Sequence, residues 1–150
     1  MSTSRRTFIV TLGAISIVPW LDAQATPAEA AEAIKKILGG AKPRNGRVHL
    51  EISPLVENGN LVPMTVSVES PMTEADHVTA IHIVAEGNPL PNIVSFYLGA
   101  RAGRAEVSSR IRLMNSQRIW ALARMSDGSF WQGYAETMVT LAACTEEILI

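Results

Sequence analysis

Cysteine is nearly absent from this sequence: one residue, Cys144, in a chain of 150. No disulfide can close within the chain, and no CxxC pair exists to hold a metal or shuttle electrons. Excess positive charge is missing too. With 13 Lys+Arg against 14 Asp+Glu the net charge is -1, so nothing is left over to neutralise a nucleic-acid backbone or an anionic lipid surface. The apolar run Phe8 to Leu21 is about 14 residues, short of the roughly 20 that a helix needs to cross a bilayer. No glycine-rich phosphate loop opens a helix, and there is no G-x-S-x-G elbow. The three histidines, His49, His77 and His82, lack metal-ligand spacing. The carboxylates Glu57, Glu69, Asp76, Glu86 and Asp127 fall on different turns without the pairing of a catalytic acid and base. His49 and His82 read as solvated strand residues, and the carboxylates as solubilising surface.

The N-terminus carries an address. Arg5 and Arg6 stand between Ser4 and Thr7, directly ahead of the apolar run, which Ala23-Gln24-Ala25 follows. This is the order of an n-region, an h-region and an A-x-A cleavage site. The arginine pair resembles a twin-arginine export signal, which a receptor reads. Residues 1–25 are therefore expected to be a signal peptide and the mature protein to reside in the periplasm. That route carries folded proteins, usually because of a cofactor or a co-exported partner. No cofactor motif is present, so a partner is the expectation.

The remaining chain divides into an N-terminal helix over 26–42, a β domain over 43–139 and a C-terminal arm over 140–150. Thr26-Pro27-Ala28-Glu29 is a capping box with proline at the first helical position. Ala30, Ala33, Ile34, Ile37 and Leu38 repeat at helical spacing until Gly39-Gly40, with Lys35-Lys36 at the negative end. From Pro43 the period becomes two: Val48, Leu50 and Ile52 alternate with Arg47, His49 and Glu51. Asn58-Gly59 predicts a tight hairpin turn into a return strand with Met64, Val66 and Val68. Strands follow at 78–85, 93–98, 105–113, 119–125 and 130–139, with the cleanest alternation from Ala105 to Leu113. About seven short strands with regular turn signals predict an all-β, immunoglobulin-like antiparallel sandwich. Packing alone must join its sheets, because no cysteine pair can.

Trp120, Phe130, Trp131 and Tyr134 concentrate aromatic surface late in the chain. Trp120 and Leu122 share a strand face with Arg118 and Arg124, which suits an exposed interface with a second subunit. Cys144 has two readings: a small buried hydrophobe at the end of the last strand, or a reachable thiol near a chain end that serves as an attachment point. Ala142 and Ala143 are small enough to let that thiol approach another protein closely.

The ordered set Leu50, Pro54, Glu57-Asn58-Gly59, Val62-Pro63 and Val66, then Asn88-Pro89-x-Pro91 with Phe96, Arg110-Ile111-Arg112-Leu113, Ser126-Asp127-Gly128 and a lone C-terminal cysteine resembles the SoxY family. Its members are carrier subunits of the thiosulfate-oxidising Sox system. The resemblance implies that Cys144 covalently holds a sulfur species, as a cysteine S-thiosulfonate or persulfide, with no resident cofactor. It implies a complex with a SoxZ-like subunit and visits from sulfur-oxidising enzymes, the chain itself being no enzyme. Well-known members read Gly-Gly-Cys-Gly-Gly where this chain reads Ala142-Ala143-Cys144-Thr145-Glu146-Glu147. Alanine restricts an arm that glycine leaves free, and the glutamates set negative charge beside the thiol. The competing expectation is a binding module that pairs with SoxZ-like proteins while Cys144 is structural.

Overall fold

The computed structural model describes residues 26–141. The first element is helix α1 (Pro27–Leu38), entered through Thr26, whose N–H donates to Glu29 Oε2 at 2.8 Å. It ends at Gly39, which adopts φ 58, a left-handed conformation that costs glycine nothing. Nine strands follow among the described residues: β1 (Arg44–Asn45), β2 (Val48–Ile52), β3 (Leu55–Asn58), β4 (Val62–Val68), β5 (Val78–Ala85), β6 (Asn92–Tyr97), β7 (Glu106–Ile111), β8 (Gln117–Met125) and β9 (Phe130–Leu141).

The strands form a sandwich of two sheets. The larger runs β1-β9-β8-β5-β6 with β3 also paired to β9, and the smaller runs β2-β4-β7. The all-β sandwich expected from the alternation is therefore present. Its strand count is higher because β1 and β3 are too short to show a period, and both pair parallel to β9 rather than antiparallel. Between the sheets, Ile81, Ile83, Ile119, Ala121 and Ala123 from the larger meet Val62, Met64, Val66 and Ile111 from the smaller. Each large aliphatic side chain so buried contributes about 1.5–3 kcal/mol, which takes the place of an inter-sheet disulfide.

Two expectations are corrected. Asn58-Gly59 makes no two-residue hairpin turn, and Gly59 is not among the residues with positive φ. The last β2–β4 pair is Ile52 with Met64, and the intervening chain crosses to β9 as β3 before returning. Asn58 Oδ1 instead accepts the Asn60 N–H at 2.9 Å, and the Gly59 carbonyl accepts the Leu113 N–H at 2.8 Å. Leu122 and Trp120 are not a bare face either. The apolar side of α1 needs cover, and it docks on the outer surface of the larger sheet. Ala30, Val84 and Leu122 form a second small core there, with Ile34, Ile37 and Trp120 against it.

Strand β2 approaches β9 so closely that a Cβ on Gly133 would lie 2.4 Å from the Val48 carbonyl oxygen. The neighbour is backbone and cannot swing away. Gly133→Ala is expected to lower unfolding free energy by about 2 kcal/mol, read from urea denaturation. An unchanged midpoint would show that the crossing tolerates a methyl group.

Candidate functional site

The end of β9 is the part of the described fold nearest in sequence to Cys144. Parallel pairing with β3 sets Leu55 beside Met138, Val56 beside Val139 and Asn58 beside Leu141. Thr137 is buried, and its hydroxyl donates to the Ser53 carbonyl at 2.7 Å. Farther along, the Met138 N–H donates to the Pro54 carbonyl at 2.9 Å and the Thr140 hydroxyl to the Glu57 carbonyl at 3.1 Å. On the opposite side Ser116 Oγ accepts the Val139 N–H at 2.9 Å. Both edges of the strand are thus tied down almost to its last residue. The strand reaches Leu141, two residues past the expected end of the β domain at Val139. Cys144, Ala142, Ala143 and Thr145, like Arg5 and Arg6, lie outside the described residues.

A polar clasp braces the loops around that end. Asn88 donates from Nδ2 to the Arg112 carbonyl at 2.7 Å, and its Oδ1 accepts the Met114 N–H at 3.1 Å and Gln117 Nε2 at 3.0 Å. Gln117 Oε1 in turn accepts the Gly87 N–H at 2.6 Å. These bonds lock the segment containing Pro89 and Pro91 to the turn before β8. Asn88 was visible in the sequence as part of a motif. Gln117 was missed, because its role arises only when two loops about 30 residues apart meet.

On the outer face, the rings of Trp120 and Tyr134 meet at a tilt of 49° with centroids 5.1 Å apart, and the Arg118 guanidinium lies 4.8 Å from the Tyr134 centroid. Arg118 Nε donates to Glu136 Oε1 at 3.0 Å, and Trp120 Nε1 donates to Glu86 Oε1 at 2.7 Å. The hydrogen bond from Arg118 to Glu136 holds the guanidinium still more firmly protonated. A groove of about 530 Å³ opens beside this cluster, lined by Pro54, Gln117, Arg118, Glu136, Thr137 and Met138 among others.

The remaining sequence candidates are dispersed. His49 pairs with Glu69 at 2.8 Å, the His77 ring with the Thr73 carbonyl at 2.9 Å, and His82 Nδ1 with Ser95 Oγ at 2.7 Å. Burial and the neighbouring Arg124 charge push the His82 pKa below its usual value, which favours a neutral ring. Asp76 meets Arg47 at 3.7 Å. Asp127 accepts the Ser129 N–H at 2.8 Å, and its hydrogen bonds to Ser129 hold its carboxyl below the usual range. Trp131 lies under Arg44 and Arg47, 5.8 and 4.8 Å from its centroid. It sits ten residues before Leu141, roughly 33 Å away along an extended strand. Among the described residues no three His, Cys, Asp or Glu side chains are grouped to hold a metal ion.

The family model for the sulfur oxidation protein SoxY matches residues 34–144. The chain belongs to the SoxY family. No curated protein matches it. Among solved structures, the sulfur carrier protein SoxY from Chlorobium limicola f thiosulfatophilum is similar at 24% identity. That match has TM-score 0.64 and covers 77% of this chain and 100% of that one. A superoxide reductase (neelaredoxin) from Ignicoccus hospitalis is similar at 20% identity and TM-score 0.55, over 78% of this chain and 95% of that one. A putative superoxide reductase from Thermotoga maritima has 18% identity and TM-score 0.54, with 65% and 87% covered. At these identities the structures show a shared sandwich fold. In this SoxY-family chain the Asn88-Pro89-x-Pro91 segment is braced against the turn before β8, the strand that pairs with β9.

Asn88→Ala removes two acceptor contacts and one donor contact at a half-buried site. It is expected to cost about 1–3 kcal/mol of stability and to speed hydrogen exchange at the Met114 amide. Unchanged exchange at Met114 would show that the clasp does not hold the loop.

Proposed function

We infer that this SoxY-family chain is a periplasmic sulfur carrier whose attachment point is the Cys144 thiol. The observation that carries the reading is the extent of the family match, which runs through residue 144, the position of the chain's sole cysteine. The hydrogen bonds that pin β9 as far as Thr140 support it. They fix a strand end three residues ahead of the thiol, a span of about 10 Å when extended. A carrier needs such a division, with a rigid body that partners recognise and a short segment that offers the cargo.

The loading chemistry is an oxidative conjugation. The cysteine sulfur forms a bond to the sulfane sulfur of thiosulfate, one proton leaves the thiol, and two electrons pass to the redox centre of a partner enzyme. The product is a cysteine S-thiosulfonate. Water then attacks its sulfonate sulfur, releasing sulfate and a proton and leaving a persulfide on Cys144. The carrier supplies the thiol and its presentation, and visiting enzymes supply the electron acceptor and the hydrolytic machinery. A SoxZ-like subunit is the proposed partner in the complex, and its co-export explains a twin-arginine leader on a chain without a cofactor motif.

The Ala142-Ala143 approach and the Glu146-Glu147 pair modify this chemistry. Two alanines make the arm stiffer than paired glycines. Adjacent carboxylates disfavour the thiolate and repel an anionic substrate, so loading depends on the partner's site to overcome that repulsion. Cys144→Ala in a strain that relies on this copy is expected to abolish thiosulfate-dependent respiration while the protein still accumulates and pairs with its partner subunit. Full respiration with Cys144→Ala would overturn the carrier reading and favour a binding module.

A further inference from the structure

Strand β6 forms one margin of the larger sheet. β5 pairs with one of its edges, and among the described residues no strand pairs with the other. An open edge offers unpaired N–H and C=O groups to any strand that comes alongside, and folded proteins guard such edges with charged side chains or proline. The other marginal strands of this fold are guarded: β1 carries Arg44, β3 Glu57, β2 His49 and Glu51, and β7 Glu106 and Arg110. β6 reads Asn-Ile-Val-Ser-Phe-Tyr, with neither charge nor proline. Tyr97 at its end is 79% exposed, and Leu90 just ahead of it 80%.

The backbone dictates how a further strand would add. The Leu98 N–H donates to the Thr79 carbonyl, and bonding alternates along an antiparallel pair. Val94 and Phe96 therefore bond to β5, while the N–H and C=O of Ser95 and Tyr97 point to the open edge. Val94 and Phe96 stand opposite Ile83 and Ile81 and pack on the core. A second β6, running antiparallel about a two-fold axis at Ser95, satisfies both conditions. The two Ser95 residues exchange N–H···O bonds, Val94 of each copy lies beside Phe96 of the other on the core side, and no two like charges meet. Tyr97 falls opposite position 93, where the register shift at Ile83 and Val84 leaves Ile93 packed on the core, next to an apolar groove lined by Ala33, Ile37, Leu90 and Pro91. Such a contact is isologous, each copy offering the same patch to the other. We propose that β6 is a self-pairing edge, through which two copies of this chain join their larger sheets into one. The two Tyr97 rings bury about 300–500 Å², a third to a half of the roughly 1,000 Å² that a specific interface needs, and Leu90 and the strand edges add to it. Because β9 lies three strands in from β6, about 14 Å, the pairing leaves the end of β9 uncovered in both copies. It rests on the fold and stands whether or not Cys144 carries sulfur.

Sedimentation velocity of the purified chain over a range of concentrations tests this, with a reductant present so that no Cys144 disulfide contributes. The chain is expected to be dimeric at about 100 µM and to dissociate on dilution. Tyr97→Lys changes an exposed side chain and is expected to raise the dimer Kd at least tenfold, the scale of one misplaced charge pair in an interface. Ser95→Pro removes an N–H that β5 does not use and is expected to do the same. Ser108→Lys, on the guarded edge strand β7, is expected to leave the Kd unchanged. A chain that is monomeric throughout overturns the proposal, as does a dimer that neither β6 variant weakens. A monomeric chain that binds a SoxZ-like subunit, and loses it on Tyr97→Lys and Ser95→Pro, overturns the second copy as the occupant and gives the edge to that subunit.

Discussion

Strand β9 is hydrogen-bonded to three other strands. It runs antiparallel to β8 along most of its length, and β1 and then β3 lie parallel on its other edge. It also lies directly against β2 of the opposite sheet, where Gly133 leaves room for the Val48 carbonyl. A strand of 12 residues, roughly 40 Å long, is thereby held along both edges and on its inner face. The bonds from Thr137, Val139 and Thr140 to Ser53, Ser116 and Glu57 extend that hold toward the strand's end. The thiol proposed as the attachment point stands three residues beyond this anchored strand in the sequence.

The side-chain chemistry of the described body fits a support role. Its three histidines are hydrogen-bonded one by one at separate places, and its polar cluster around Asn88 and Gln117 braces backbone. The cluster of Trp120, Tyr134 and Arg118 with Glu86 and Glu136 links α1's docking surface to the groove near the strand end. On the carrier reading, reactivity belongs to the segment beyond β9, and the described body supports it.

Much of the fold was legible in the sequence because local signals agreed with the tertiary result. Thr26-Pro27 and Gly39 bound the helix, β2 and β5 run over the stretches their patterns indicate, and the Ala105–Leu113 alternation sends Ile111 and Leu113 inward. What was not legible arises from contacts distant in sequence. β1 and β3 have no period of their own and exist because β9 offers an edge. Leu122 looked exposed because nothing in its strand announces that a helix almost 90 residues earlier will cover it. The Asn58-Gly59 pair favours a hairpin locally, but the chain gains more by adding β3 to the larger sheet before it returns. At the candidate site, Cys144 stood out by being alone, and Asn88 by its motif. Gln117 and Ser116 are ordinary residues whose roles appear only once the loops are assembled.

The central claim is that sulfur is bound covalently at Cys144 and nowhere else in this chain. Intact-mass and peptide-mapping spectrometry of the protein, recovered with its partner subunit from cells oxidising thiosulfate, tests it most directly. The expected result is a mass gain of one thiosulfate or one sulfane sulfur, confined to the peptide containing Cys144 and released by a thiol reductant. Protein that stays unmodified while the cells oxidise thiosulfate at full rate would contradict it.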